Sequence, residues 1–514
     1  MICEGASLPL AGALVVLPAL AATGLLACAE EVFGKAKAAF YGLRSLVLAM
    51  VFAMVVGEPR AEGLTRLAPV DLGRLLGLDR APEVKTLRRR LEALARLGRS
   101  DALMMAVARR HVEARPGATG VFYVDGHVRA YHGGAELAKA HVTRMRLSMP
   151  AAVDTWLADA FGDGVLCWSA PPPASLVGEL AKVAASVREL VGPGRRPTIA
   201  FDRGGWSPKA FAELAAAGFD IATYRKGPVA AEPRSAFAEH AHTDEAGCQH
   251  RYLLADRRVR IAYRDDKRRR YFVCRQVTRL DPHSGHQTHI VTTRADAAAT
   301  VAHAMFSRWR QENFFRYLRA HYGLDALDSY ATVADDLGRS VPNPAKKPVA
   351  AAATGAKRRL AEIEERLADP LPAELAGLHA EAVAYVKGLV SDARAVPARV
   401  PLGELHPDAE VHHGERKRIH DVVRMATYNA ESALARLLAP HYPRAEDEAR
   451  SLLREAMRGP ADLEVVHGQL HVRLDALSAP RRTRAIAALC EDLNTTATLY
   501  PGTDLVLRYS VKVP

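Results

Sequence analysis

Residues 198–208 have the sequence Thr-Ile-Ala-Phe-Asp-Arg-Gly-Gly-Trp-Ser-Pro, and this stretch decides how the surrounding chain is interpreted. Its first four residues form an apolar run that is typical of a buried strand, and the run ends at Asp202. Ser207 and Pro208 have the residue types of a helix N-cap and of a first helical turn. A buried strand that is followed by a polar turn and a helix is a building block of α/β folds.

The same alternation continues on both sides, over residues 119–226. Gly126 is expected to turn the first strand into a hairpin with the second. The order β-β-β-α-β-α-β is that of an RNase H-like core, so the predicted fold class is α/β. The predicted strands are Gly120–Val124, Val128–Tyr131, Val165–Trp168, Thr198–Phe201 and Phe219–Tyr224, and the predicted helices are Ser175–Val191 and Ser207–Gly218.

Three acidic residues that lie far apart in the chain add a candidate metal site to this pattern. Asp125 and Asp202 each follow a strand-like run, and Glu312 lies in the helix-like segment Arg-Trp-Arg-Gln-Glu-Asn. Carboxylate oxygens are the ligands that Mg²⁺ prefers, and paired metal ions drive phosphodiester chemistry. Each acid alone also has a structural interpretation: a hairpin turn for Asp125, a helix entry for Asp202, and an ion pair with Arg308 for Glu312. The three together favour a site built of carboxylates.

The bulk composition favours a polyanionic partner. The net charge of +12 and the isoelectric point of about 9.5 favour nucleic acid first and an anionic membrane second, although a basic proteome would give the same balance. The 49% of hydrophobic residues suffice for large cores in about three domains. Six scattered cysteines without a Cys-x-x-Cys pair argue against a disulfide framework or a zinc ribbon, and they fit a reducing cytoplasm.

Composition and periodicity also predict the domains. We expect a helical N-terminal domain at 1–115, an RNase H-like domain at 116–330 with a β-rich insertion at 227–295, a linker and a charged helix at 331–400, and a C-terminal α+β region at 401–514 that suggests no chemistry. The linker is assigned to Ser340–Gly355, the charged helix to Ala356–Ala368, and a helix with one apolar stripe to Ile419–Leu437.

An uncharged run of 21 residues, Leu8–Cys28, is long enough to span a bilayer, but it contains two prolines and no basic residue precedes it. We interpret this run and the shorter apolar stretch Leu46–Val56 as buried helices of the N-terminal domain. A membrane anchor at residues 8–28 stays open as an alternative.

Two basic segments are candidates for DNA contact. Residues 69–97 are predicted to form a short helix, a turn and a longer amphipathic helix, as in a helix-turn-helix, with Lys85, Arg88, Arg89 and Arg90 on the second helix. Residues 257–270 contain eight basic residues, including Arg268 and Arg269. For both segments a solvated basic face is an equally good interpretation.

Two groups of potential zinc ligands lack the spacing of a zinc site. The first group is His240, His242, Cys248 and His250, and the second is His283, His286 and His289. We interpret both groups as exposed loop histidines and not as metal sites.

Over roughly residues 60–330 the chain resembles bacterial insertion-sequence transposases of the DDE class, of the cut-and-paste type. Asp125, after the first strand, resembles the first family aspartate, and Asp202, in an Asp-Arg-Gly ahead of a helix, resembles the second. Arg308-x3-Glu312 resembles the centre of the family signature Tyr-x2-Arg-x3-Glu-x6-Lys.

Two signature positions differ from the family. The tyrosine falls on Met305, which cannot hydrogen-bond DNA, and the lysine falls on Arg319, which keeps the charge. Phe306 and Trp309 are candidates to stack on nearby bases. Cut-and-paste relatives commonly carry a β-rich insertion between the second and third acids, which matches the insertion predicted here.

The resemblance implies a DNA transposase that binds the terminal inverted repeats of its element, cleaves DNA and joins the freed 3′-hydroxyl to target DNA. It implies that Asp125 bridges two Mg²⁺ ions, that Asp202 and Glu312 hold one each, and that Mn²⁺ can substitute. Arg308 is expected to pair with a phosphate or to orient Glu312, and Arg319 to bind DNA.

The implied partners are double-stranded DNA, as element ends and as target, and a second copy of the chain in a homodimer on DNA, with no membrane involved and in the cytoplasm. The alternative is a catalytically inactive, transposase-derived protein that only binds DNA.

Overall fold

The computed structural model describes residues 6–34, 41–245, 247–266, 268–365 and 373–512, and its architecture is mixed α/β, as predicted. The N-terminal segment is mainly helical. Its elements are β1 (Ala6–Leu8), a 3-10 helix (Ala11–Val16), α1 (Leu17–Thr23), α2 (Leu25–Phe33), α3 (Leu43–Val55), a second 3-10 helix (Ala61–Arg66), α4 (Pro69–Leu75), α5 (Val84–Ala95), α6 (Ser100–Ala114) and a third 3-10 helix (Pro116–Gly120).

The two apolar runs of this segment form buried helices, as predicted. All residues of 11–20 and of 46–55 are buried. Gly24, with a φ of 71°, separates α1 from α2 in a backbone conformation that favours glycine. Among the described residues, no single helix is long and apolar enough to cross a membrane, and the stretches Ala11–Thr23 and Leu25–Phe33 pass that test only as a pair with a 61° bend.

The next segment forms the central part of a large sheet. β2, β6 and β7 are parallel neighbours, whereas β4 pairs antiparallel with both β2 and β5. The hydroxyl of Ser207 accepts a hydrogen bond from the amide of Ala210 and caps α8, as predicted. The elements are β2 (Val121–Ala130), β3 (Lys139–Val142), a 3-10 helix (Thr143–Met145), β4 (Leu147–Ala158), β5 (Gly164–Ala170), α7 (Leu176–Val191), β6 (Thr198–Phe201), a 3-10 helix (Arg203–Gly205), α8 (Pro208–Ala216) and β7 (Asp220–Tyr224).

The hairpin predicted at Gly126 is wrong. Strand β2 runs straight through Asp125 and Gly126, and the predicted return strand at Val128 is the second half of β2. The reason is the partner strand, because β4 pairs with β2 continuously from Tyr123 to Ala130. Long-range pairing along the whole strand therefore outweighs the local turn preference of Asp-Gly.

Residues 238–292 extend the same sheet. The full order is β3-β4-β2-β6-β7-β11-β10-β9-β8, with β5 also paired to β4, and the junction is the antiparallel pair of β11 with β7. The strands predicted at Tyr271–Leu280 and Thr288–Thr293 are present as parts of β10 and β11. The elements are a 3-10 helix (Arg234–Ala236), β8 (Ala238–Thr243), β9 (Gln249–Asp265), β10 (Arg268–Leu280) and β11 (Gln287–Thr292).

Residues 295–322, whose sequence periodicity is helical, form two helices, α9 (Ala298–Phe306) and α10 (Trp309–His321). Two tyrosines of the sheet account for the break. The hydroxyl of Tyr123 donates to the carbonyl oxygen of Ala304 at 2.7 Å, and that of Tyr224 donates to the carbonyl oxygen of Met305 at 3.0 Å. A continuous helix would use these two carbonyls in its next turn, so the hydroxyls stabilise the helix end at this point.

The linker predicted at Ser340–Gly355 is wrong for most of its length. Strand β13 begins it and pairs with β14, and α11 starts at Lys346 and packs against α12. Its run of alanines has a high helix propensity, which outweighs the proline-based prediction. The predicted charged helix Ala356–Ala368 forms the second half of α11, and residues 366–368 lie outside the described residues. The elements are β12 (Thr332–Ala334), β13 (Ser340–Pro342), α11 (Lys346–Glu364), α12 (Ala373–Ala395), β14 (Arg399–Pro401), α13 (Leu402–Leu405) and β15 (Glu410–His412).

The C-terminal segment packs directly on the N-terminal one. β1 and β16 pair in a second sheet of order β1-β16-β17-β18, and the hydroxyl of Tyr509 donates to the carbonyl oxygen of Leu14 at 2.9 Å. One hydrophobic cluster includes residues of both chain ends and of the central sheet. Residues from several of the predicted domains share this core, and the predicted domain boundaries stay a prediction. The elements are α14 (Gly414–Leu438), a 3-10 helix (Ala439–His441), α15 (Ala445–Arg458), β16 (Ala461–Val466), β17 (Gln469–Leu474), α16 (Pro480–Thr495) and β18 (Val506–Val511).

Helix α14 is buried on its charged face as well as on its apolar stripe. It packs against α1, α3, α5, α6 and β5. Its residues Lys417, Asp421 and Arg424 are buried and pair internally. Arg424 also donates to both carboxylate oxygens of Asp328, at 2.5 and 2.8 Å. The apolar stripe by itself predicts that one face of α14 is buried. The opposite face is buried as well, because partners in the core neutralise its charges.

Candidate active site

Asp125 and Asp202 directly follow the last paired residues of two neighbouring parallel strands, β2 and β6. The parallel pairing of β2 with β6 ends at Val124 opposite Phe201, and each aspartate is the next residue in the chain. Because the carboxyl ends of parallel strands meet at one edge of a sheet, the register alone brings these two acids together. Asp125 lies within β2 and not at a strand end, but it is the first residue of β2 beyond the parallel pair.

Helix α10 brings Glu312 to the two aspartates, and the neighbouring residue Gln311 fixes the position of the helix. Gln311 is fully buried, and its amide nitrogen donates to the carbonyl oxygens of Tyr123 at 3.3 Å and of Trp156 at 3.2 Å. These carbonyls belong to β2 and β4, so the helix is anchored to the strand that carries Asp125 and to the neighbouring strand that pairs with it. Glu312 itself is 59% exposed and faces away from the core.

Arg308, the residue that precedes α10, connects the first acid with the third. Its guanidinium lies 3.2 Å from a carboxylate oxygen of Asp125 and also donates to a carboxylate oxygen of Glu312. Burial alone would lower the pKa of Arg308, but the charges of Asp125 and Glu312 raise it, so the side chain stays a cation. The ion pair of Glu312 with Arg308 is therefore present, and it is part of a three-residue cluster and not a separate surface pair.

The charges of the three acids act on one another at this edge. Burial raises the pKa of Asp125 to about 6, and the charges of Asp202 and Glu312 also raise it, whereas Arg308 and a hydrogen bond from the amide of Gly126 lower it. The ionised form of Asp125 is thus disfavoured although an arginine lies beside it. A cation near these carboxylates would relieve this repulsion.

Asp202 has a second, local role. One of its carboxylate oxygens accepts a hydrogen bond of 2.7 Å from the amide of Gly204 and caps the short 3-10 helix Arg203–Gly205. The helix-entry interpretation of Asp202 is therefore correct as far as it goes. A carboxylate has two oxygens and about four acceptor positions, so this cap leaves acceptor capacity for a further ligand.

The donor set of this cluster fits Mg²⁺ or Mn²⁺, because it consists of carboxylate oxygens without nitrogen or sulfur. In the part of the chain that the structure describes, the one group of three His, Cys, Asp or Glu ligand atoms within 4.8 Å of one another lies elsewhere, at Asp244, His250 and His303. The guanidinium of Arg308 occupies the space between Asp125 and Glu312.

The other predicted DNA contacts lie on three exposed surfaces. Arg319 is exposed in the last turn of α10. On α5, residues Lys85, Arg88 and Arg89 are exposed and Arg90 is partly buried, while Leu87 and Leu91 of the same helix face the core. Arg88 forms an ion pair with Glu62. The predicted pair of helices at 69–97 is present as α4 and α5, and its role in DNA binding stays a prediction.

The third surface, which we call the basic ladder, is the exposed face of the β9–β10 hairpin. It consists of Arg258, Arg260, Arg264, Arg269 and Tyr271. Arg260 and Arg269 lie over the ring of Tyr271, at 4.6 and 5.3 Å from its centre. Arg268 is exposed at the start of β10, next to this face. Alternation along β9 points Val259 and Ile261 to the opposite, buried side.

Sequence reasoning missed three residues that hold the site together, namely Tyr123, Tyr224 and Gln311. The available signal was a tyrosine inside an apolar strand-like run, at Tyr123 and Tyr224, whereas Gln311 gave no such signal. At the two divergent signature positions, Met305 is fully buried and Arg319 is exposed. Trp309 is 56% exposed, so it is accessible for stacking. Phe306 is less accessible, since it stacks on Tyr252 and the guanidinium of Arg279 lies 4.7 Å from its ring centre.

Comparison with known proteins identifies the family. A family model described as "Transposase protein" matches residues 6–352 and 406–513, which is most of the chain. No match was found among curated proteins. Since the match includes the segments that carry Asp125, Asp202 and Glu312, and extends to both chain ends, the chain belongs to this transposase family, whose activity is the processing of DNA.

Proposed function

We propose that the chain is a transposase of the DDE class that cleaves DNA and transfers strands through Asp125, Asp202 and Glu312. One observation carries the proposal: two acids that follow the paired ends of parallel strands, and a third acid on α10, share a single electrostatic environment around Arg308. Each acid belongs to an element that is anchored in the core. A catalytic site requires such rigid support, because its geometry must be maintained.

Mg²⁺, or Mn²⁺ in its place, would be held by these carboxylates and would stabilise the charge that develops on the attacking and leaving oxygens of a phosphodiester. Asp125, between the other two acids, is the candidate for the shared ligand. Asp202 and Glu312 then each complete one side of the site.

Arg308 is the candidate for contact with the DNA phosphate. Its Nε atom is buried and has no hydrogen-bond partner within the described residues. In the structure its two other nitrogens are held by Asp125 and Glu312. With a metal ion held by those carboxylates, the guanidinium would be available for a phosphate oxygen, for which its planar fork is well suited.

The order of the strands and helices supports a finer classification of the enzyme. The strands β2, β4 and β5, then α7, β6, α8 and β7, follow the order of an RNase H-like core, apart from the short β3. The strands β8–β11 between the second and third acids match the insertion of cut-and-paste relatives among bacterial insertion sequences. The basic ladder and the exposed face of α5 supply the phosphate contacts, and synapsis of two element ends calls for a homodimer on DNA.

The test is strand transfer with purified protein and the inverted repeats that flank the coding region. We expect joining that depends on Mg²⁺ or Mn²⁺ and that falls to background in Asp125→Ala, Asp202→Ala and Glu312→Ala, while binding of the repeats is kept. Glu213→Gln is the matched control, because Glu213 is an exposed acid on α8, next to the site in sequence but outside the cluster.

Two outcomes would contradict the proposal. Unchanged joining by all three alanine variants would rule out the carboxylate cluster as the active site. Tight, specific binding of the repeats by wild-type protein without any cleavage would favour the alternative, a transposase-derived protein that only binds DNA.

A further inference from the structure

A second cluster of potential metal ligands lies away from the three acids, where β8 and β9 meet α9. His242 and His250 are directly opposite each other in the antiparallel β8–β9 pair, so their side chains share one face of the hairpin. Helix α9 packs on that face and places His303 against both. The ring centres of His242 and His250 lie 4.5 and 4.6 Å from that of His303.

An acid completes the cluster. Asp244, in the turn after β8, has a carboxylate oxygen 2.8 Å from Nε2 of His250. Single potential ligand atoms of Asp244, His250 and His303 all lie within 4.8 Å of one another. The side chain of Asp244 is only 12% exposed and that of His250 36%, so the cluster is partly shielded from solvent.

Hydroxyl groups surround the imidazoles in the positions that orienting groups of metal sites occupy. Tyr252 and Ser307 lie within 3.3 and 3.2 Å of the two ring nitrogens of His303, and Thr300 lies 3.4 Å from Nδ1 of His242. Whichever nitrogen of His303 binds an ion, the other keeps a hydrogen-bond partner that fixes the ring.

We propose that Asp244, His250 and His303 bind a divalent transition-metal ion, with His242 as the fourth ligand. Two or three imidazole nitrogens and one carboxylate are a donor set for zinc, whereas Mg²⁺ prefers oxygen ligands alone. Tetrahedral binding at Zn–N distances of about 2.0–2.1 Å requires the ligand atoms of Asp244, His250 and His303, now within 4.8 Å of one another, to close in and His242 to move towards them.

The ion would have a structural role. It would tie the β8–β9 hairpin to α9, and His303 lies one helical turn before Ser307, where α9 ends and the segment of Arg308 begins. The position of Arg308 and α10 would then depend on the hairpin as well as on the central sheet. The donor atoms differ in kind from the three carboxylates, so the two sites can be loaded separately.

The test is the metal content of untagged, gel-filtered protein, measured by mass spectrometry, together with the visible spectrum of protein loaded with Co²⁺. We expect about one zinc ion per chain and the strong visible absorption of tetrahedral Co²⁺. Both signals should be lost in His250→Asn and His303→Asn. They should be kept in His286→Asn, since His286 is an exposed histidine of another turn.

Circular dichroism of each variant separates loss of the ion from loss of the fold. If a variant does not fold, the wild-type protein supplies the decision: extraction with a chelator should lower its melting temperature, and Zn²⁺ but not Mg²⁺ should restore it. The Asp125→Ala variant should keep its zinc, so this result does not depend on the proposed function. Wild-type protein without zinc and without a tetrahedral Co²⁺ spectrum, or zinc retained in His250→Asn, would overturn the proposal and leave a hydrogen-bonded histidine cluster.

Discussion

Asp125→Asn should make the metal-free protein more stable at neutral pH, although it removes an acid from the candidate active site. The pKa of Asp125 is raised to about 6, compared with about 3.9 in an unfolded chain, a difference of about two units. Each unit corresponds to about 1.4 kcal/mol, so the ionised carboxylate destabilises the folded state by about 3 kcal/mol. Asparagine resembles the protonated acid in shape and cannot ionise, so this penalty is absent from the variant.

The raised pKa of Asp125 determines the sign of the stability change and the pH range in which it appears. The folded state binds the proton more tightly than the unfolded state, so the penalty is fully present above pH ~6 and disappears as the pH falls to about 4. The variant should therefore exceed wild type in free energy of unfolding by about 3 kcal/mol at pH 8, by roughly half of that at pH 5, and by very little at pH 4.

Urea unfolding in the presence of a chelator measures the difference, provided that the slopes of the two transitions agree. Glu213→Gln serves as the matched control, because Glu213 is an exposed acid outside the cluster. Asp328→Asn serves as the control of opposite sign, because Arg424 and His420 lower the pKa of this buried acid in spite of the effect of burial. An Asp125→Asn variant that is no more stable than wild type at pH 8, or whose advantage does not shrink at pH 5, would refute the reasoning. Added Mg²⁺ should stabilise wild type more than the variant.

Three further predictions concern the scaffold and the DNA surface. Gln311→Leu removes the amide that anchors α10 to two buried backbone carbonyls, and it should cost about 1–3 kcal/mol in urea unfolding; unchanged stability would contradict the anchoring role. Arg424→Met leaves the buried Asp328 without the guanidinium that binds both its oxygens, removes one of two partners of Asp421, and should cost about 3–5 kcal/mol; a loss below about 1 kcal/mol would show that the buried network contributes little. Arg260→Ala and Arg269→Ala on the basic ladder should weaken DNA binding equally for all sequences, and each should reduce the salt dependence of binding by about one unit of slope; an unchanged slope in filter-binding or anisotropy titrations would exclude this surface.

Much of the fold could be predicted from local patterns. Thr198–Phe201 is a strand of the predicted length, and Ser207 caps α8, because a short apolar run and a capping residue act within a few residues of themselves. The hairpin at Gly126 was wrong for the opposite reason, because the outcome there depends on a partner strand elsewhere in the chain, β4. The linker at Ser340–Gly355 was wrong because the helix propensity of its alanines outweighs its prolines, and the resulting helix α11 packs on α12.

The residues of the candidate site also fall into those that local sequence signals reveal and those that only the tertiary structure reveals. Asp125, Asp202, Arg308 and Glu312 could be named from the sequence, because acids next to strand ends and an arginine one turn before an acid are local signals. Gln311 could not, since a glutamine inside a helix gives no sign that it will be buried against two strands. The histidines were assigned to loops, whereas His240, His242 and His250 lie on β8 and β9, and their neighbour His303 comes from a helix more than fifty residues later in the chain.

The sequence by itself determined the α/β class of the fold, pointed to a transposase and named the three acids as candidates, because residue type and spacing along one strand or helix are properties of the local chain. The tertiary structure decided three further things. The register of β2 and β6 sets Asp125 level with Asp202. The hydroxyls of Tyr123 and Tyr224 decide where α9 ends. The packing of α9 on β8 and β9 brings His303 to His242 and His250. Each of these depends on contacts between residues far apart in sequence, and such contacts exist only once the sheet has formed.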